Sequence, residues 1–171
     1  ISLVVDTAIS LTAQLAPASD TARVGDNITR DNTPTIRGTG EPGASITVTS
    51  PTGEVLTTTV AADGTWGVTP STPLPDGPAA FAVITRDAAG NTRSVTVDLT
   101  IDTTPPGAPT VEIREDANND GYLNAAEISG DADVRVTLPG NAAAGDTLTV
   151  TDGTIARTLV LTAADIATGH I

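Results

Sequence analysis

Residues 116–127 carry the clearest chemistry in the chain. Side-chain oxygens recur at the first, third, fifth and ninth positions of this stretch, from Asp116, Asn118, Asp120 and Asn124. Gly121 is sixth, where a loop that wraps a cation must turn sharply. Tyr122, seventh, offers its backbone carbonyl, and Glu127, twelfth, can close the shell with two oxygens. Hard oxygen donors at this spacing suit calcium. A cation that binds only the folded chain stabilises it by mass action, about 2.7 kcal/mol when free cation is a hundredfold above Kd. Asn, Asp and Gly also favour plain surface turns, which is the competing reading. Agreement at six positions together favours the cation. Helices flank such a loop in an EF-hand. Here a strand over residues 109–114 precedes it, so the expectation is a grafted clip and not a sensor.

Other chemistries lack their residues. There is no cysteine, which excludes disulfides, zinc-thiolate and iron–sulfur sites. The single histidine, His170, is expected to be inert, and without a second His or any Cys a nucleophile–His triad is excluded in this chain. Paired carboxylates that hydrolyse glycosides work in clefts with aromatic sugar platforms, and the aromatics are only Trp66, Phe81 and Tyr122. No glycine-rich phosphate loop is present. The reading is therefore of a chain that is not an enzyme.

The balance of charge points the same way as the loop. The 171 residues hold 21 Asp and Glu against 8 basic residues, all arginine, for a net charge of −13. Nothing here neutralises phosphates, so nucleic acid is excluded as a partner, and so are anionic membrane surfaces. No apolar run is long enough to insert into a membrane. Divalent cations fit, because clustered carboxylates repel one another until a cation neutralises them. No signal peptide is read at Ile1, which suggests an interior slice of a longer chain. The cores must be built from Val, Ile, Leu, Ala and Thr methyls, a composition expected to leave a narrow stability margin. Trp66 is the natural filler for such a core.

The elements that must position these residues are all β. Period-two alternation with β-branched residues predicts strands at residues 45–49, 54–60, 80–85, 94–101, 134–138, 147–151 and 155–161. Turn signals punctuate them at a sandwich's spacing, including Gly40-Glu41-Pro42-Gly43, Asp63-Gly64, Pro75-Asp76-Gly77, residues 87–91 and Asp152-Gly153. No long helix is predicted. One short turn is expected at residues 125–128 and another at 163–166.

A repeat organises the chain. Val4-Val5-Asp6-Thr7 matches Thr100-Ile101-Asp102-Thr103, and fourteen residues beyond each aspartate stand Asp20 and Asp116. The expected division is residues 1–102 and 103–171. The junction Asp102-Thr103-Thr104-Pro105-Pro106 reads as a semi-rigid spacer. The second unit reaches Ile171 without a counterpart of residues 81–101, so it is expected to lack its last strands.

The repeat suggests a second site. Asp102 lies in the junction, and the turn holding Asp87 and Asn91 is expected at the same end of the first unit, as is the Glu41 turn. Carboxylates from a linker and two loops can hold one cation and fix an interdomain angle. Asp6 is expected to play the part of Asp102 toward a preceding domain. The alternative is that these are only turns, with Gly90 at positive φ. A third cluster, Asp20, Asp26, Asn27 and Asp31, lacks both the order of residues 116–121 and a closing glutamate. It reads as a polar loop with Asx turns.

Several stretches together carry a family signature. Asp31-Asn32-Thr33-Pro34-Thr35-Ile36-Arg37-Gly38-Thr39-Gly40-Glu41-Pro42-Gly43-Ala44 leads to Ala62-Asp63-Gly64-Thr65-Trp66 and Leu74-Pro75-Asp76-Gly77. Then follow Thr85-Arg86-Asp87-Ala88-Ala89-Gly90-Asn91-Thr92 and Ile101-Asp102-Thr103-Thr104-Pro105-Pro106. This order resembles the bacterial Ig-like extender repeats of giant RTX and biofilm-associated surface adhesins. The resemblance implies tandem Greek-key β-sandwiches, the second incomplete and carrying the EF-hand-like loop. It implies a secreted module at the bacterial cell surface that bears a distant ligand-binding tip on a calcium-stiffened arm. Its partners would be neighbouring repeats of the same chain, and the calcium reading of the junction site rests mainly on this likeness. Two other readings stay open: a module that itself binds a host ligand or pairs with its own kind, and an accessory domain of a secreted hydrolase.

Overall fold

The structure, a computed structural model, describes residues 5–21, 23–116, 118, 120–127, 133–151 and 153–171. Val4, Ile128 and Asp152, which belong to the expected repeat, turn and hairpin, lie outside the described residues, as do Ala117 and Asn119 of the acidic loop. The chain divides into two compact units, Ile1–Thr104 and Pro105–Ile171.

Unit 1 is a β-sandwich. One sheet has three strands in the order β1 (Gln14–Leu15), β3 (Ile36–Thr39), β6 (Thr65–Val68). The other has five, β2 (Ile28–Thr29), β8 (Thr92–Ile101), β7 (Gly77–Arg86), β4 (Ser45–Thr49), β5 (Val55–Thr59). All pairings are antiparallel except β2 with β8, which is parallel. The runs legible by alternation become β4, β5, β7 and β8. In β7 every second residue, Ala79, Phe81, Val83 and Thr85, is buried, and the residues between are exposed. Ile46 and Val48 of β4 and Val97, Leu99 and Ile101 of β8 join them. Leu15, Ile36 and Trp66 meet them from the other sheet, forming one apolar cluster.

The strands that alternation did not signal are short or interrupted by glycine. Gly38 and Gly67 stand inside β3 and β6. Gly38 has a packing reason. A Cβ there would lie 1.9 Å from the Thr12 carbonyl oxygen and 2.9 Å from Trp66 Cζ2. The missing side chain lets the segment carrying β1 run tight along β3, with Thr12 N donating to Thr39 O at 2.9 Å and Ala16 N to Thr35 O at 2.9 Å. Trp66 is buried, as expected of a core filler, and its Nε1 donates to Thr39 O at 3.4 Å.

Unit 2 pairs β9 (Thr110–Ile113) with β10 (Val134–Thr137) and β11 (Thr147–Thr151) with β12 (Ala156–Val160), both antiparallel. A six-residue helix, α1 (Ala163–Thr168), follows. Thr162 caps it by accepting from Asp165 N, and the Asp165 carboxylate accepts from Thr162 in return. Gly169 closes it at φ 72, the left-handed conformation glycine tolerates. The acidic loop lies between β9 and β10.

Candidate metal centres

Three carboxylates of unit 1 converge. Asp6, Glu41 and Asp87 each present an oxygen within 4.8 Å of the others, and among the described residues no other three acidic or histidine side chains come so close. They come from three places in the chain. Asp6 lies in the extended segment before β1, where its Oδ1 accepts from Ala8 N at 3.3 Å. Glu41 stands in the β3–β4 connection, folded back by Ala44 N donating to Glu41 O at 3.0 Å and by Gly43 at φ 85. Asp87 opens the β7–β8 hairpin turn, in which Gly90 takes φ 96. The pairing of Ser45 with Arg86 brings the start of β4 to the end of β7, so both turns sit at one end of the sandwich.

Asn91 holds this cluster together. Its backbone N donates to Asp87 Oδ1 at 2.8 Å, and its Nδ2 donates to Asp87 Oδ2 at 2.7 Å and to the Asp6 carbonyl at 3.2 Å. Asp87 is largely buried, while Asp6 is exposed and Glu41 is half-buried. Burial pushes the Asp87 carboxyl up. The Asn91 side-chain and backbone hydrogen bonds, with those of the Gly90 and Ala89 amides, outweigh it and hold the carboxyl below its ordinary value. Asp87 is thus kept ionised beside two further carboxylates. Oxygen-only donors from three loops, two of them open to water, fit a hard divalent cation that fills its shell with solvent.

Asp102 does not join this group. It follows β8, whereas Asp87 precedes it, and the ten residues of β8 put about 30 Å between the two ends. An antiparallel hairpin leaves its turn at one end and its free termini at the other, so the turn that holds Asp87 and Asn91 cannot share an end with the segment after β8. Asp6, from the N-terminal segment, takes the place expected of Asp102. Asp102 itself accepts from Thr104 N at 3.1 Å through Oδ1, and its backbone N donates to Thr29 O at 2.8 Å. The neighbouring Asp76 carboxylate takes the side-chain and backbone donors of Thr103 and the hydroxyl of Thr104 at 2.7–3.0 Å. Those bonds lower its pKa, in that order of weight.

The loop of unit 2 is organised by its own acceptors. Asp116 Oδ1 and Oδ2 take Asp120 N (3.1 Å) and Gly121 N (2.9 Å). Asn118 Oδ1 takes Asp120 N at 2.9 Å, and Asp120 Oδ1 takes Tyr122 N at 2.8 Å. Gly121 sits at φ 82, in keeping with its place at the sharp turn. Glu127 Oε2 is turned onto Asn124, accepting from N at 3.0 Å and Nδ2 at 2.6 Å. Asp116, Asp120 and Glu127 therefore do not gather as tightly as the three carboxylates of unit 1, and Tyr122 is exposed.

A family model for the bacterial Ig-like domain matches residues 7–103. The chain belongs to that family. No curated protein matches it. Among solved structures it is similar to a Ca2+-stabilised adhesin that helps an Antarctic bacterium reach out and bind ice, at 29% identity over 95% of this chain and 40% of that one, TM-score 0.45. It is also similar to a tetra-tandem repeat in the extending region of a large adhesion protein, at 23% identity over 96% and 40%, TM-score 0.40. A third is a bacterial immunoglobulin-like domain from the M. primoryensis ice-binding adhesin, at 25% identity over 55% and 97%, TM-score 0.34. The chain spans less than half the length of the first two.

The matched bacterial Ig-like domain thus contains the whole of the Asp6 cluster but for Asp6 itself. One structural feature of the domain escaped the sequence reading. Asp20 of the third cluster is buried, with Oδ2 accepting from Gly25 N at 2.5 Å and Oδ1 without a partner among the described residues. Asp26 caps its own turn through Ile28 N at 2.9 Å, and Asp31 does so through Thr33 N at 3.0 Å, the Asx turns expected of a polar loop. Nothing in the alternation of this stretch marked Asp20 as inward-facing.

Proposed function

We propose that this bacterial Ig-like chain is a non-catalytic structural extender module of a secreted, calcium-dependent surface adhesin. The observation that carries the reading is the convergence of Asp6, Glu41 and Asp87 at one end of unit 1, with Asn91 fixing two of them. Like charges this close oppose the compact state until a cation joins them. Calcium there would pin the segment before β1 to two turns of the sandwich and stiffen the approach to the domain. The loop at residues 116–127 is the second proposed calcium position, with Asp116, Asn118, Asp120, Asn124 and Glu127 as side-chain donors and Tyr122 as a carbonyl donor. The dearth of aromatics, with a single Trp, Tyr and Phe, weighs against a glycan-binding face.

Thermal melts in EDTA, in millimolar calcium and in millimolar magnesium test the proposal. The expected result is an upward shift of the transition in calcium that magnesium does not reproduce. Coincident melts in all three would leave the carboxylates as ordinary turn residues and the reading without support.

A further inference from the structure

Three aspartates in the turns of unit 1 serve their own turn. Asp26, Asp31 and Asp63 each accept from a backbone amide two residues on. Asp76 does not. It stands at the end of the β6–β7 connection, beside Gly77, and its donors lie 27 and 28 residues away. Oδ1 accepts from Thr103 N at 3.0 Å and from Thr103 Oγ1 at 2.7 Å, and Oδ2 accepts from Thr104 Oγ1 at 2.8 Å. Bonds to an ionised acceptor are stronger than those between neutral groups. Both threonines lie beyond Ile101, the last residue of β8.

The segment after β8 is gripped from both sides. β8 lies between β2 and β7. On the β2 side Asp102 N donates to Thr29 O at 2.8 Å. On the β7 side Gly77 pairs with Ile101, and Asp76 takes Thr103 and Thr104. Asp76 is itself held. Its connection, residues 69–76, contains Pro70, Pro73 and Pro75, which fix φ and offer no N–H to a strand ladder. Side chains pin it instead. The Glu54 carboxylate accepts from Ser71 N at 3.0 Å, Ser71 Oγ at 2.7 Å and Thr72 N at 3.1 Å. Leu74 is buried in the core cluster, and its N donates to Asn32 O at 2.8 Å. The matching step of the repeat, Asp6-Thr7, gives the contrast. Asp6 accepts from Ala8 N as Asp102 accepts from Thr104 N, yet Thr7 makes no hydrogen bond among the described residues.

We propose that Asp76 is a positioning residue, a cation-free clasp that fixes the direction in which the chain leaves unit 1, with the proline-stiffened connection as its rigid mount. The exit is then set by direct hydrogen bonds, whereas the entry gathers carboxylates that call for a cation. The inference stands on bonds within unit 1 and holds whether or not the Asp6 cluster takes calcium.

Amide exchange and residual dipolar couplings of the full chain, recorded by NMR in EDTA and again in millimolar calcium, test it. Asp76→Ala should speed exchange at Thr103 about tenfold or more, toward the rate at Thr7. It should also cut the couplings of the Thr103 and Thr104 amides by about half or more. Amides inside β8, and those of Ser71 and Thr72, should keep their values. Calcium should change Thr103 exchange by less than about twofold. Unchanged exchange and couplings at Thr103 in Asp76→Ala would overturn the proposal. So would acceleration spread evenly along β8, which would make Asp76 a general stabiliser of the sandwich. A larger slowing of Thr103 exchange by calcium would do the same, since the exit would then depend on the cation. Should Asp76→Ala fail to fold, the double variant Thr103→Val/Thr104→Val keeps the carboxylate and the residue 103 amide and removes both hydroxyls. Reduced couplings at residues 103 and 104 are then expected, and unaltered ones would sink the clasp.

Discussion

Ile46 and Val48 on β4 are sealed, while Leu148 and Val150, in the same pattern on β11, are not. Both strands turn one face inward because alternate side chains leave a strand on opposite sides. Alternation decides which face is apolar. It does not supply the layer that covers that face, which in unit 1 is the sheet of β1, β3 and β6, while β7 closes the edge of β4. Among the described residues only Val136 and Leu161 of unit 2 are buried apolar side chains, against a continuous cluster running through both sheets of unit 1. The entry to each unit differs too. Where unit 1 gathers Asp6, Glu41 and Asp87, unit 2 pins residues 105–107 with a neutral amide. Asn141 Nδ2 donates to Pro105 O at 3.1 Å, and Asn141 Oδ1 accepts from Gly107 N at 2.9 Å.

The single tryptophan lies in unit 1 and the single tyrosine in unit 2, so their fluorescence follows the units separately. Removing the centre of the closed core has the largest expected effect. Phe81→Ala should cost unit 1 about 3–5 kcal/mol in urea unfolding followed by Trp66. Val136→Ala should cost unit 2 less than half as much. Equal losses would mean that unit 2 is as well packed as unit 1.

Glycine substitutions sharpen the contrast at the next level. Gly38→Ala forces the β1 segment away from β3 and should cost about 1–3 kcal/mol. Gly145→Ala meets nothing within 4 Å and suffers only from its backbone angle of φ 103, for about 1 kcal/mol. A Gly38→Ala protein as stable as its parent in the Trp66 transition would show that the close approach is dispensable.

Calcium distinguishes the two candidate centres. Asp87→Asn should abolish the calcium-induced rise of the Trp66 transition and leave any change in Tyr122 emission intact. Glu127→Gln should do the reverse. If either variant silences both signals, the two centres are coupled and the units do not respond independently.

Acid gives the smallest expected difference. Hydrogen bonds hold Glu54, Asp63, Asp76 and Asp87 of unit 1 below their ordinary range, for Asp87 against burial, whereas in unit 2 the resolved case is Asp165, lowered by Thr162. A depressed carboxyl contributes stability that is complete above its unfolded pKa and is lost as pH falls through the folded one. Both units should weaken below about pH 4, and unit 1 should lose more. Urea midpoints at pH 6 and pH 3, in EDTA, would measure this. A midpoint of the Trp66 transition that does not move would contradict it.

Much of the architecture was legible. The runs at residues 45–49 and 147–151 match β4 and β11 residue for residue, because β-branched alternation is a local property of the chain. β3 and β6 were hidden by Gly38 and Gly67, whose value lies in what approaches them from elsewhere. Asp6, Glu41, Asp87 and Asn91 were each read as candidate cation ligands, with the Glu41 and Asp87 turns expected at one end, but Asp102 was placed with them and Asp6 was assigned to a preceding domain. The order of oxygen donors in residues 116–127 and the acidic, cysteine-free composition were also set by the sequence alone. Which carboxylates meet depends on the direction in which β7 and β8 run. Likewise, the meeting of β4 with β7 and of β2 with β8 joins residues far apart in the chain. Those are contacts of the folded sandwich that no local pattern encodes.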